Sequence, residues 1–349
     1  DGSSSIRKKQ SFSTVFILCL ILLFSSSCLP SGESGNKGAE SAIELTLLPR
    51  VRGNEWVNRD LYALPEALYE SEAAHGGTLR EEEYETKDYL TGEGALKKKC
   101  QVYTPYGYDE SEKYEILYLM HGHMSDIYTL MGWGKFKNLL DNMIERKMIE
   151  PVVIVTPTFA PHNEKDTLDA DTAYEWVKVF HREFGHDLMP FVEGKYHTYS
   201  DYKTDEESLK NSKAHRAFAG FSLGALTTWY QLYENSEYIY RFGAMALDFW
   251  TGEPWVSSDE SEAKNNASVM TAQLKKRGVT QDDFVVEAFS GTADSLYLGM
   301  NNYMKYIFSS GGPFTENNTH YGVIPYGAHD FPEARTYFFN TLLLFYGSE

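Results

Sequence analysis

Six short, nearly continuous apolar runs punctuate the chain: EILYLM (115–120), VVIVTP (152–157), RAFAGF (216–221), FGAMAL (242–247), FVVEAFS (284–290) and YGVIPY (321–326). A strand with one wet face alternates polar and apolar residues. These runs do not, so each is expected to be a strand buried on both faces. Between them lie helix-like stretches: GKFKNLLDNMIERKMI, AYEWVKVFHREFGHDLMPFVEGKY, ALTTWYQLYENS and SLYLGMNNYMKYIF. Buried strands separated by amphipathic helices predict an α/β fold with a mostly parallel central sheet and helices on both faces. No repeat of solenoid period is present. Ligands of such sheets bind beyond the carboxyl ends of the strands, so the loops that leave those ends carry the functional information.

The N-terminal part reads differently. Arg7, Lys8 and Lys9 precede a ten-residue apolar run, Val15–Phe24, with small residues after it. That is the layout of an export signal, and ten residues are too few to span a bilayer comfortably. Ser25, Ser26 and Ser27 lead directly into Cys28, which suits a lipoprotein whose cysteine is lipidated after cleavage, although Ser25 stands where a Leu-like residue is usual. Residues 1–28 are therefore expected to be a signal peptide, with lipidation at Cys28 or ordinary cleavage nearby as the two alternatives. The product would be secreted or held at the cell surface or in the periplasm, touching membrane only through a lipid anchor. Residues 29–75 read as a tether, rich in Ser, Gly and Glu up to about residue 45, and then an N-terminal extension without a clear period. The domain proper is expected at 76–349. Of the three cysteines, Cys19 lies in the signal and Cys28 at the lipid site, leaving Cys100 with no disulfide partner. With 32 Lys and Arg against 50 Asp and Glu, the net charge of −18 argues against nucleic acid or an anionic membrane surface as partner.

The most informative loop follows RAFAGF. Gly220-Phe221-Ser222-Leu223-Gly224 places a serine between two glycines, after an expected strand and before an expected helix. Such a turn is sharp and strained, and it presents the hydroxyl at the sheet's carboxyl edge. It also sets the Leu223 amide at a helix N-terminus, where an anion can be held. A serine becomes a nucleophile when a base takes its proton. In the order Ser, acid, His, only His320 and His329 follow Ser222. His329 comes just after a strand, whereas His320 precedes one, so His329 is the expected base. Asp294, in the loop after FVVEAFS, is the favoured acid, with Asp248 after FGAMAL as its rival. Asp330 adjoins the base too closely to orient it. The loop His121-Gly122-His123 after EILYLM is expected to supply a second oxyanion-binding amide, from His123. The two histidines in that loop have no companion carboxylate–His motif, so no metal is expected, and no cofactor.

Together these segments resemble the feruloyl and acetyl-xylan esterases of carbohydrate esterase family one, in the α/β-hydrolase superfamily, including esterase modules joined to xylanases. The resemblance runs from GGTLREEEYET through QVYTPYGYDESEKYEILYLMHG, GFSLGALTTWY and GTADSLYLGM to GAHDFPEARTYFFNTLLLF. It implies an α/β-hydrolase fold, with Ser222, Asp294 and His329 as a catalytic triad and the amides of His123 and Leu223 as the oxyanion hole. It further implies hydrolysis of hydroxycinnamoyl or acetyl esters on xylan or arabinoxylan. The chain departs from the family in reading ALDFW where many relatives read SGDCW, keeping Asp248 and Trp250, and in its less Gly-rich oxyanion loop, HGHMSD. Both segments border the acyl or sugar pocket in the family. Trp133, Tyr128, Trp250 and Asp248 are the candidate substrate-binding residues, the aromatics because flat rings stack on sugars and phenols.

Overall fold

The structure is a computed structural model that describes residues 43–161, 169–252 and 259–348. The export-signal and lipidation expectations, and nearly all of the expected tether, lie outside the described residues. Residues 44–349 form one compact unit.

Its centre is an eight-stranded sheet of order β1-β2-β4-β3-β5-β6-β7-β8. The strands are β1 Thr78–Lys87, β2 Ala95–Thr104, β3 Glu115–Met120, β4 Val152–Thr156, β5 Arg216–Phe221, β6 Arg241–Met245, β7 Val285–Gly291 and β8 Thr319–Ile324. From β4 through β3 to β8 every neighbouring pair is parallel, while β2 runs antiparallel to both β1 and β4. Side chains alternate across the sheet, and both faces are covered. On one face Phe218 packs against Phe180 and Phe184 of the helical stretch 170–193. On the other, Phe289 stacks on Tyr337 of the C-terminal helix Phe331–Tyr346, and Gly243 approaches Thr341 of that helix. The six apolar runs are thus the six parallel strands, each within one or two residues of its expected limits.

Two strands lie outside the six runs. β1 (TLREEEYETK) and β2 (ALKKKCQVYT) form a charged hairpin at one edge, with Glu83 opposite Lys99 and Glu85 opposite Lys97. Ion pairs Lys99–Glu81 (2.6 Å) and Lys97–Glu83 (3.2 Å) lie on its exposed face. Exposed pairs of this kind each contribute at most about 1 kcal/mol. Their larger effect is to keep an edge strand from pairing with another chain.

The expected N-terminal extension, from Glu44 onward, belongs to the same compact unit as the residues that follow it. The amides of Asn58 and Arg59 both donate to the Tyr321 carbonyl of β8 at 3.1 Å, and Arg59 forms an ion pair with Glu287 of β7 at 2.6 Å. Leu61 and Leu68 are buried, and Leu61 fills the space beside Gly322, where a Cβ would meet its side chain at 2.6 Å. Burial of Leu61 holds the segment against the edge strand β8, while Leu68 lies on the short helix Ala67–Glu70, where its carbonyl accepts from Asn142 of the helix Phe136–Glu145.

Candidate active site

Register places the loops of interest side by side. Met120 pairs with Gly220, Phe221 with Met245, and Gly291 with Ile324, so residues 121–123, 222, 246–248, 292–294 and 325–329 all emerge at one sheet edge. His320 instead sits near the start of β8, bonded to Glu287 at 2.8 Å. It belongs to the opposite edge.

Ser222 has φ 59° and ψ −123°, a conformation costly for a residue with a side chain. Three contacts hold it there. Its amide donates to the Met245 carbonyl at 2.9 Å. A Cβ on Gly220 would meet Gly224 backbone atoms at 2.4 Å, and one on Gly224 would meet the Met120 carbonyl oxygen at 2.2 Å. The two glycines let the helix Leu223–Asn235 start flush against β5 and the end of β3. Leu223 opens that helix, so its N–H has no acceptor one turn back within it.

A chain of hydrogen bonds ends on the serine. His329 Nε2 lies 2.9 Å from Ser222 Oγ, and His329 Nδ1 lies 2.7 Å from Asp294 Oδ2. Asp294 is buried, and its Oδ1 accepts from the Leu296 amide at 2.7 Å, leaving Oδ2 to face the imidazole. The imidazole stacks on Phe221 at 4.7 Å between centroids. The acid and histidine loops are strapped together: the Ala293 amide donates to the Gly327 carbonyl at 2.9 Å, and a Cβ on Gly291 would strike that oxygen at 2.2 Å. Of the two rival acids, Asp294 touches the imidazole. Asp248 lies fully buried elsewhere, where its charge helps push the Tyr303 hydroxyl pKa upward after burial itself.

The loop after β3 closes the other side. A Cβ on Gly122 would meet Ser222 Cβ at 3.0 Å, so the backbone running into His123 passes against the serine. His121 is buried, with Nδ1 donating to the Gly122 carbonyl at 2.8 Å and Nε2 accepting from the Thr158 hydroxyl at 2.9 Å. Burial depresses its pKa to about 4, so the ring is neutral near pH 7. Thr158 is itself held by Lys98, whose Nζ donates to the Thr158 carbonyl and to Glu183, both at 2.8 Å. Among the described residues no group of three or more His, Cys, Asp or Glu side chains is placed to hold a metal ion.

The expected substrate-contacting residues divide. Trp133 is 88% exposed, and Tyr128 is also exposed, its hydroxyl donating to Glu81 of β1. Trp250 and Asp248 are corrections. Both are buried, Trp250 packing beside Tyr174 at 6.1 Å and offering its carbonyl to the Tyr230 hydroxyl at 2.7 Å. An indole enclosed in this way presents no face to a ligand. Sequence reasoning missed three exposed apolar side chains on the same rim: Met124, Leu298 and Tyr326. Each sits within a few residues of a motif position, after His123, after Asp294 and before His329, and that adjacency was the available signal.

Residues 95–342 match the protein family described as "Putative esterase". This chain belongs to that esterase family. The esterase is 31% identical over 266 residues to endo-1,4-beta-xylanase Y of Acetivibrio thermocellus, covering 74% of this chain and 23% of that protein. It is 30% identical over 135 residues to an endo-1,4-beta-xylanase/feruloyl esterase of Xylanibacter ruminicola, covering 37% of this chain and 16% of the relative. The chain thus spans less than a quarter of either relative's length. Among solved structures, a serine-to-alanine mutant of the feruloyl esterase module from Clostridium thermocellum, complexed with sinapinate, superposes with TM-score 0.70 at 27% identity. That match covers 87% of this chain and 96% of the module. The ferulic acid esterase of Anaeromyces mucronatus, solved with ferulic acid, shares the fold at TM-score 0.61 and 19% identity, covering 80% of this chain and 95% of its own. The esterase has the α/β-hydrolase fold.

Proposed function

We propose that this esterase hydrolyses hydroxycinnamoyl esters of the ferulate type, and secondarily acetyl esters, carried on xylan or arabinoxylan. The observation that carries the proposal is the hydrogen-bonded sequence Asp294–His329–Ser222, ending on a hydroxyl at a strained strand-to-helix turn. The substrate class draws support from the relatives: a feruloyl esterase module that binds sinapinate and enzymes named as xylanases.

In the first step Ser222 Oγ attacks the ester carbonyl carbon while His329 Nε2 takes its proton. Asp294 keeps the Nδ1–H directed toward itself and stabilises the imidazolium. The carbonyl oxygen becomes an oxyanion between the amides of Leu223 and His123. Collapse breaks the bond to the sugar oxygen, which leaves with the proton from His329. Water then attacks the acyl-serine, giving its proton to His329, and the free acid departs as Ser222 recovers its hydrogen. The exposed Trp133, Met124, Leu298 and Tyr326 offer an apolar rim against which an aromatic acyl group can lie. Export by residues 1–28 and lipidation at Cys28 belong to the same proposal and rest on the sequence of that segment.

The test is hydrolysis of methyl ferulate and feruloylated arabinoxylan by the parent and two variants. Ser222→Ala should lower kcat by at least about 10⁴-fold and Asp294→Asn by about 10³–10⁴-fold. Parental turnover by Ser222→Ala would end the proposal.

A further inference from the structure

The segment that sequence reasoning left unassigned forms one wall of a cleft. Residues 51–56 face the first turns of the helix Tyr297–Ser309 across a cavity of about 770 Å³. Its lining includes Arg52, Asn54, Glu55, Trp56, Tyr297 and Asn301. Asn54 clamps the two walls: its amide donates to the Tyr297 hydroxyl at 3.2 Å and to Asn301 Oδ1, while its own oxygen accepts from the Trp56 amide at 3.1 Å. Trp56 in turn stacks on Phe308 near the far end of the helix, 6.3 Å between centroids. The cleft is therefore braced from both sides before any ligand arrives.

The cleft adjoins the site through its helix wall. The Tyr297 amide donates to the Asp294 carbonyl at 3.1 Å, so the helix lining the cleft starts at the turn that presents the acid to His329.

We infer that this cleft binds the neutral sugar backbone of a polysaccharide whose ester is presented to Ser222. The inference rests on the esterase function proposed above and extends it to the glycan. The cleft is open rather than enclosed, and its lining does not resemble an apolar pocket. With Asn54 committed to the brace, the Asn301 amide nitrogen, the Tyr297 phenol, the Arg52 guanidinium and the Glu55 carboxylate supply donors and acceptors that suit vicinal hydroxyls. The single Arg and single Glu in the lining offset each other, which favours a ligand without net charge. The indole provides an apolar patch for the C–H face of a pyranose. A free acyl ester such as methyl ferulate is too small to fill both this cleft and the position at Ser222.

The experiment separates the two claims. Xylohexaose, which carries no ester, is titrated calorimetrically into the Ser222→Ala protein and into the same protein carrying Arg52→Ala and Asn301→Ala. Binding to the first, weakened about five-fold or more in the second, is the expected result, as for loss of at least one neutral hydrogen bond. With Ser222 present, the two cleft substitutions should raise KM on feruloylated xylo-oligosaccharide by a similar factor, and methyl ferulate kinetics serve as the control. Should xylohexaose fail to bind, or bind equally to both proteins, the cleft is not a glycan site, while methyl ferulate hydrolysis continues to support the esterase function. Loss of methyl ferulate hydrolysis in the parent would instead remove the esterase function, whatever the sugar does.

Discussion

Replacing Thr158 by valine isolates the support beneath the loop that carries Gly122 and His123. The substitution keeps the shape of the side chain and removes its hydroxyl. The backbone at 158 stays anchored, because Lys98 holds its carbonyl at 2.8 Å. Two hydrogen bonds disappear: the one to His121 Nε2 at 2.9 Å, and the one that the Ala160 amide donates to the hydroxyl at 3.1 Å. The buried imidazole cannot compensate. Swapping its proton to Nε2 would turn a bare Nδ1 toward the Gly122 oxygen, 2.8 Å away. Protonating it at pH 7, against a pKa near 4, would cost roughly 4 kcal/mol. Leaving Nε2 unpaired costs about 1–3 kcal/mol, so that is the outcome the molecule takes. Adding the Ala160 donor gives a stability loss of roughly 2–4 kcal/mol, read as a lower urea midpoint at unchanged slope. Because Gly122 lies against Ser222, the loosened loop should also lower kcat about ten-fold on methyl ferulate, with KM altered less than about two-fold. Thr158→Ser, which restores the hydroxyl, should recover most of both losses. If Thr158→Val matches the parent in midpoint and kcat, the chain Lys98–Thr158–His121 does not support the loop and the reasoning fails.

Three further outcomes follow, two from the geometry of the folded body and one from the N-terminal sequence. Gly224→Ala should cost more than about 3 kcal/mol or prevent folding, since its Cβ would sit 2.2 Å from the Met120 oxygen and both partners are backbone; a soluble variant with parental midpoint and activity would contradict the packing of helix against strand. Acid should destabilise the protein through His121: the unfolded chain takes up this proton as pH falls through about 6.5, the folded one only near 4, so stability drops across that window by roughly 2 kcal/mol between pH 7 and pH 5. Urea midpoints of the parent and His121→Asn measured at both pH values isolate this contribution, and equal pH slopes in the two would refute it. Cys28→Ala should shift the expressed protein from the membrane to the soluble fraction without changing the esterase kinetics of the folded body, and unchanged partition would count against lipidation.

The parts of this fold visible in the sequence are those where one physical requirement dominates. Strands buried on both faces must be largely apolar, so β3 to β8 stand out as nearly continuous runs, and the buried charges within them, Arg216 and Glu287, are paired. The hairpin β1–β2 obeys a different rule. Its partners across the edge are Glu and Lys, and a chain of charges reads equally as a solvated surface. The helix Glu260–Lys276 escaped notice for a related reason. It buries Ala263, Asn266, Ala267, Met270, Thr271 and Leu274 at good helical spacing, but only Met270 and Leu274 of that stripe are large and apolar. Residues 44–75 carry no period because their regular structure is limited to the single-turn helix Ala67–Glu70 and one isolated bridge, Leu47–Tyr62. They are held by single contacts such as Arg59–Glu287 and Leu61 against Gly322, which only tertiary structure can reveal. At the site, Ser222 and His329 could be located because strand-to-loop junctions are marked by glycine. Gly220, Gly224 and Gly291 lie where backbones pass too closely for a Cβ. Trp250 illustrates the converse limit. Aromatic residues near a motif serve core and ligand alike, and the decision turns on burial, a property of neighbours such as Tyr174 and Tyr230 that lie far away in the chain. The same reasoning gives weight to the exposed Tyr326, because φ of 61° in a residue with a large side chain is costly unless the loop requires it. Here the loop does require it, since the Tyr326 amide is bonded to the Thr292 hydroxyl at 2.7 Å and so ties the approach of His329 to the turn that carries Asp294.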